Sequence, residues 1–137
     1  MSIPTAFMTD RLATLLQQVW QSIPKSDQES ITKYWSSAEQ HSILNLPVFA
    51  VTDPMVDGKA LGATNMHGFM LRFWKDFVDR GYESKVRDII AHELAHVFDL
   101  AMHGRAAELT EAFAEDTMKR WGFDPNSVKD DQEDGLS

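Results

Sequence analysis

Leu12, Leu15, Leu16, Val19 and Trp20 recur at steps of three and four, the spacing that lays apolar side chains along one side of an amphipathic helix. Thr9 or Asp10 can cap the start of that helix, and Pro24 bounds its end. Ser26 and Glu29 have the spacing of a capping box, which predicts a second helix with Ile31, Tyr34 and Trp35 on its buried side. The polar faces of both helices carry few basic residues, so they read as core scaffold rather than as membrane-surface helices. From residue 43 to residue 52 the pattern turns β-like: Leu46-Pro47-Val48-Phe49-Ala50-Val51 is a strand-type run stopped by Asp53-Pro54. Pro47 suits an edge position or the first residue of that strand. Residues 57 to 66, with Gly58, Gly62 and Asn65, read as a loop, and Gly68 to Phe73 as a second strand.

Helical spacing then returns. Between Arg87 and Gly104, Ile90, Leu94, Val97, Phe98 and Ala101 fill one broad arc, while His92, His96, Asp99 and His103 share the opposite stripe. Gly104 is a natural stop, because glycine accepts a left-handed backbone and lets the chain reverse. A further helix is expected from about Ala106 to Trp121, antiparallel to the first. The polar stripe would look the same on a solvated face, but it contains His92-Glu93-Leu94-Ala95-His96. A helix turns about 100° per residue, so two histidines four apart stand about 40° apart and one turn along the axis, and both imidazoles can converge on one ion. Glu93 flanks the same side, where a carboxylate can take a proton from a metal-activated water.

The reversal at Gly104 brings three carboxylates into consideration as a third donor: Glu108, Glu111 and Glu115. Ala107, Glu111, Ala114, Met118 and Trp121 recur as one seam, which Glu111 alone interrupts with a charge. A carboxylate in an apolar seam needs a partner, and a zinc ion is a sufficient one, so Glu111 leads, with Glu115 and then Glu108 behind it. His103 lies ~10 Å along the axis from His96, too far for one coordination sphere. Asp99 either orients a histidine from behind or is solvated.

His92-Glu93-x-x-His96 followed by a helix with Glu111-Ala112 resembles the zincin metallopeptidases, and within them the gluzincins, whose third ligand is a glutamate on the next helix. Several minimal gluzincins carry a similar Glu-Ala pair, running into a sequence like Arg120-Trp121-Gly122-Phe123. The metzincin pattern fits poorly, since Asp99 and Met102 stand where it requires glycine and histidine. Thermolysin-like members support a zinc-bound histidine with an aspartate one turn after the ligand glutamate, and Glu115 occupies that place here. The resemblance covers about residues 68 to 123. It implies an α+β, minimal zincin-like domain, predominantly helical, with a small sheet beside the active-site helix. It also implies a zinc-dependent peptidase, with Zn2+ held by His92, His96 and Glu111 and with Glu93 as general base. The strand before the motif helix borders the cleft in zincins and pairs with extended substrate; the alternative is a sheet that merely covers the helices. A zincin-fold regulatory or interaction domain that binds metal without turnover is the second functional reading, and a metal-free helical interaction domain a third.

Composition narrows the partners. A formal net charge of -8, with no cluster of Lys and Arg, disfavours nucleic acid and anionic membranes and better suits cationic peptides or partners, while the resemblance implies a peptide or protein substrate. Without cysteine, any metal must be held by His, Asp or Glu. No basic start precedes an apolar run, so the cytoplasm is the expected compartment. Residues 1–123 are expected to form one domain, and residues 124–137, rich in Asp130, Asp131, Glu133 and Asp134 after a break at Asp124-Pro125-Asn126, an acidic disordered tail. His67 and Tyr82 are candidates for stabilising an oxyanion, with Tyr82 better suited to packing or capping, and His41 carries no signal.

Overall fold

The computed structural model describes residues 9–37, 47–53, 55–56, 60–64, 68–104 and 111–126. Helix α1 (Asp10–Ser22) runs as its apolar repeat predicts, with Leu12, Leu15, Leu16, Val19 and Trp20 all buried. Thr9 is its N-cap, its hydroxyl accepting from the Leu12 N–H at 3.3 Å. Helix α2 (Lys25–Ser37) starts one residue before Ser26, so the expected capping box is not its opening. Instead the Pro24 carbonyl accepts from the N–H groups of Asp27 and Gln28, at 2.9 and 3.0 Å. The Gln28 amide in turn donates to the carbonyls of Trp20 and Ile23, so the end of α1 and the start of α2 are closed by the same few residues.

Strand β1 (Val48–Thr52) begins just after Pro47, where a missing N–H does no harm. The segment expected to be a loop contains a strand, β2 (Gly62–Thr64), and an isolated bridge between Val56 and Ala60. Three small residues carry no period-two apolar signal; what makes them a strand is a partner, β3 (Met70–Trp74), to which β2 is antiparallel with Thr64 opposite Leu71. The order is β1-β3-β2, with β1 parallel to β3. The strand expected to border a cleft is therefore the central one, hydrogen-bonded on both sides, and cannot receive a further strand. A short helix α3 (Lys75–Arg80), which had no separate signal in the sequence, follows directly. Arg11 fastens it to α1, its guanidinium donating to the carbonyls of Val78 and Gly81.

Helix α4 (Glu83–His103) ends on Gly104 in the left-handed conformation, φ 73°. Every residue from Asp88 to Leu100 is buried except His96, which is half-buried. A helix covered all round is a core helix rather than a surface one, so the solvated-face reading of its polar stripe is excluded. The cover comes from α1, α2, strand β2 and helix α5 (Glu111–Arg120), all of which pack on α4. Residues 105–110, where the last helix was expected to begin, lie outside the described residues, as do His41, His67, Glu108 and residues 127–137. Helix α5 ends two residues before Gly122, whose N–H bonds the Lys119 carbonyl while that of Phe123 bonds Met118; the break thus precedes Asp124-Pro125-Asn126. The Asp124 N–H is held at 3.2 Å by Asp88 on α4.

Two tryptophans lock the layers. Trp35 stacks on Trp20, meets Phe49 edge-on and donates its indole N–H to the Gly68 carbonyl at 2.8 Å. Gly68 has φ 77°, which strains any residue with a Cβ, and a Cβ there would stand 2.9 Å from Leu100 Cδ1, so glycine is favoured at this entry to β3. Trp121 donates to Asp27 at 2.8 Å, and Arg120 pairs with the same carboxylate at 2.7 Å, which ties the end of α5 to the first turn of α2. The result is a mixed architecture, five helices and a three-stranded sheet among the described residues. None of the described helices is long and apolar enough to cross a membrane.

Candidate metal centre

The four-residue step on α4 brings the His92 and His96 rings to 4.6 Å between centroids, nearly perpendicular, with their Nε2 atoms 3.1 Å apart. Glu111, the first residue of α5, closes the group: one carboxylate oxygen lies 2.9 Å from His92 Nε2 and the other 3.2 Å from His96 Nε2. Atoms held at 2.0–2.2 Å around one ion in tetrahedral array stand about 3.3–3.5 Å apart, so these three donors need to open by only a few tenths of an ångström to share one ion. Among the described residues they are the one His/Asp/Glu group close enough to hold a metal. Two imidazoles and a carboxylate suit zinc, and also iron(II). His92 is buried and His96 half-buried, whereas the Glu111 side chain is 67 % exposed.

That exposure corrects the expected setting of Glu111. The dry part of the seam is Ala114, Met118 and Trp121. The partner that burial was thought to demand is supplied by two imidazoles at the rim. Hydrogen bonds from His92 and then His96 hold its carboxyl far below the usual carboxylate range, against the partial burial that raises it. Burial draws His96 down, but its hydrogen bond to Glu111, together with the charges of Glu93, Glu111 and Asp99, leaves it above the ordinary histidine value.

Glu93 is 7 % exposed, and a buried carboxylate needs a donor. It has one in Thr64 of β2, whose hydroxyl lies 2.7 Å from Glu93 Oε1 and 3.3 Å from the Glu93 carbonyl. Nothing in the sequence pointed to Thr64, because the strand that carries it has no pattern of its own.

The remaining candidates fall elsewhere. Asp99 is buried, not solvated, and its carboxylate is 2.5 Å from His103 Nδ1, so the histidine it orients lies outside the donor group. His103 in turn meets the Phe113 ring edge-on at 5.0 Å. Neither His92 nor His96 has a hydrogen-bond partner on Nδ1 among the described residues, so Glu115 does not support them as its position one turn after Glu111 suggested. Glu115 lines a shallow groove with Lys119 and Asp124 instead. Tyr82 is 62 % exposed at the N-cap of α4, about 15 Å along the axis from His92, and its side chain makes no capping bond. It is mostly exposed and does not reach the donor group.

Comparison of the chain with known protein families, with curated proteins and with solved structures yields no match.

Proposed function

We propose that the chain is a zinc-dependent peptidase of minimal gluzincin type, with a zincin-like fold. The observation that carries the reading is the meeting of His92 and His96 on α4 with Glu111 on α5 at ligand-like separations, with the buried Glu93 adjacent to His92 in the chain. His92, His96 and Glu111 would hold the ion. Zinc bound there supplies a Lewis acid for the scissile carbonyl and lowers the pKa of water toward neutrality. Glu93 takes one proton from the attacking water as the oxygen bonds to the carbonyl carbon, and it returns that proton to the amine nitrogen as the C–N bond breaks. Since β3 is paired on both sides, the outer strands are β1 and β2, and β2, whose Thr64 touches Glu93, is the edge we assign to an extended peptide backbone. A cytoplasmic setting and a peptide or protein substrate complete the proposal.

The test is metal content together with one substitution. Protein purified without chelator should carry about one zinc per chain and lose it in His92→Ala. Glu93→Gln should keep the zinc while cleavage of labelled casein falls by about 10²–10⁴-fold. Zinc retained and casein left intact by the wild-type chain would point to a metal-binding interaction domain instead, and iron in place of zinc would overturn the hydrolase reading.

A further inference from the structure

The Glu93–Thr64 contact joins a buried side chain next to the donor group to β2, an outer strand of the sheet. The Trp74 N–H donates to the Leu61 carbonyl at 2.9 Å, and in an antiparallel ladder the hydrogen-bonded pairs alternate every second residue. Ala63 therefore directs its main chain at β3, while the main-chain groups of Gly62 and Thr64 point away from it. The Thr64 side chain lies on the same sheet face as that of its partner Leu71, which is fully buried, and it reaches Glu93 on α4. One residue thus directs its backbone away from β3 and its hydroxyl to the buried carboxylate.

We infer that Thr64 is a positioning residue: its hydroxyl binds Glu93 Oε1, fixes the carboxylate in one orientation, leaves Oε2 as the oxygen that takes the proton, and couples that orientation to the edge of β2. The inference rests on the peptidase reading of the site. Glu93 has three side-chain torsions, and an acid–base group free to rotate spends less time in a reactive geometry. A hydroxyl bound to one carboxylate oxygen at 2.7 Å restricts such rotation. The rival role for Thr64 is passive, to satisfy a carboxylate that the fold has buried.

Thr64→Val keeps the shape and removes the hydroxyl; Thr64→Ser keeps the hydroxyl. On the full-length zinc-loaded chain with fluorescein-labelled casein as probe, Thr64→Val should lower kcat about tenfold with KM within about twofold and zinc content unchanged, and Thr64→Ser should recover most of the loss. A second readout needs neither metal nor activity. In zinc-free protein, Thr64→Val and Glu93→Leu should be non-additive, the double variant having a Tm about 4 °C higher than the two separate losses predict. Wild-type kcat in Thr64→Val, no recovery in Thr64→Ser, or strict additivity of the Tm losses would each overturn the positioning role while leaving the peptidase reading intact. A wild-type chain that takes up no zinc and cuts no casein overturns both.

Discussion

Glu111→Gln tests the metal centre most sharply, because the exposure of Glu111 separates what it does for the fold from what it does for an ion. In the zinc-free protein the carboxylate bridges two imidazoles, but its side chain is 67 % exposed. A pair that open to solvent contributes about 0–1 kcal/mol after screening and side-chain ordering, and an amide oxygen replaces part of it. Without zinc the Tm should therefore change by no more than about 3 °C. With zinc the expectation differs. Zinc at about 1,000 times its dissociation constant stabilises the wild-type chain by about 4.1 kcal/mol. Loss of the charged ligand should weaken affinity at least about a hundredfold, which at the same free zinc leaves about 1.4 kcal/mol. The difference, about 2.7 kcal/mol, corresponds to about 8 °C in the zinc-dependent part of Tm for a chain of this size. Scanning calorimetry of both proteins at fixed free zinc and in excess chelator gives the four numbers. An equal rise in Tm with zinc in both proteins would refute Glu111 as a ligand, and a large loss in chelator would show that it is a structural residue.

Three further outcomes check the architecture around the site. Gly68→Ala should destabilise by about 2 kcal/mol, from a positive φ and a Cβ 2.9 Å from Leu100 Cδ1, read as a lower urea midpoint with unchanged slope. Asp27→Ala leaves the buried Trp121 N–H without its acceptor and should cost about 1–3 kcal/mol in the same titration, whereas Trp121→Phe combined with Asp27→Ala should cost less than the two changes summed. His103→Gln should leave zinc stoichiometry at the wild-type value, because His103 pairs with Asp99 outside the three-donor group; loss of zinc there would mean that the coordination sphere is wrongly drawn.

Much of this protein is legible from local rules. The apolar repeat of α1, the left-handed stop at Gly104, and the four-residue step between His92 and His96 depend on residues within a turn or two of one another, and short-range spacing is what an amino-acid sequence records directly. Tertiary packing decided what spacing leaves open. Gly62-Ala63-Thr64 is a strand only because β3 lies beside it, and β3 is central only because β1 and β2 claim both of its sides. His92 and Asp99 in the polar stripe of α4 are buried because several elements close over them, while Glu111 is exposed, so the seam that singled it out is dry only further along, at Ala114, Met118 and Trp121. Thr64 and Glu93 are 29 residues apart in the chain, and no periodicity joins them. Pairings at that range are set by which faces can be covered together, a property of the whole core rather than of any segment.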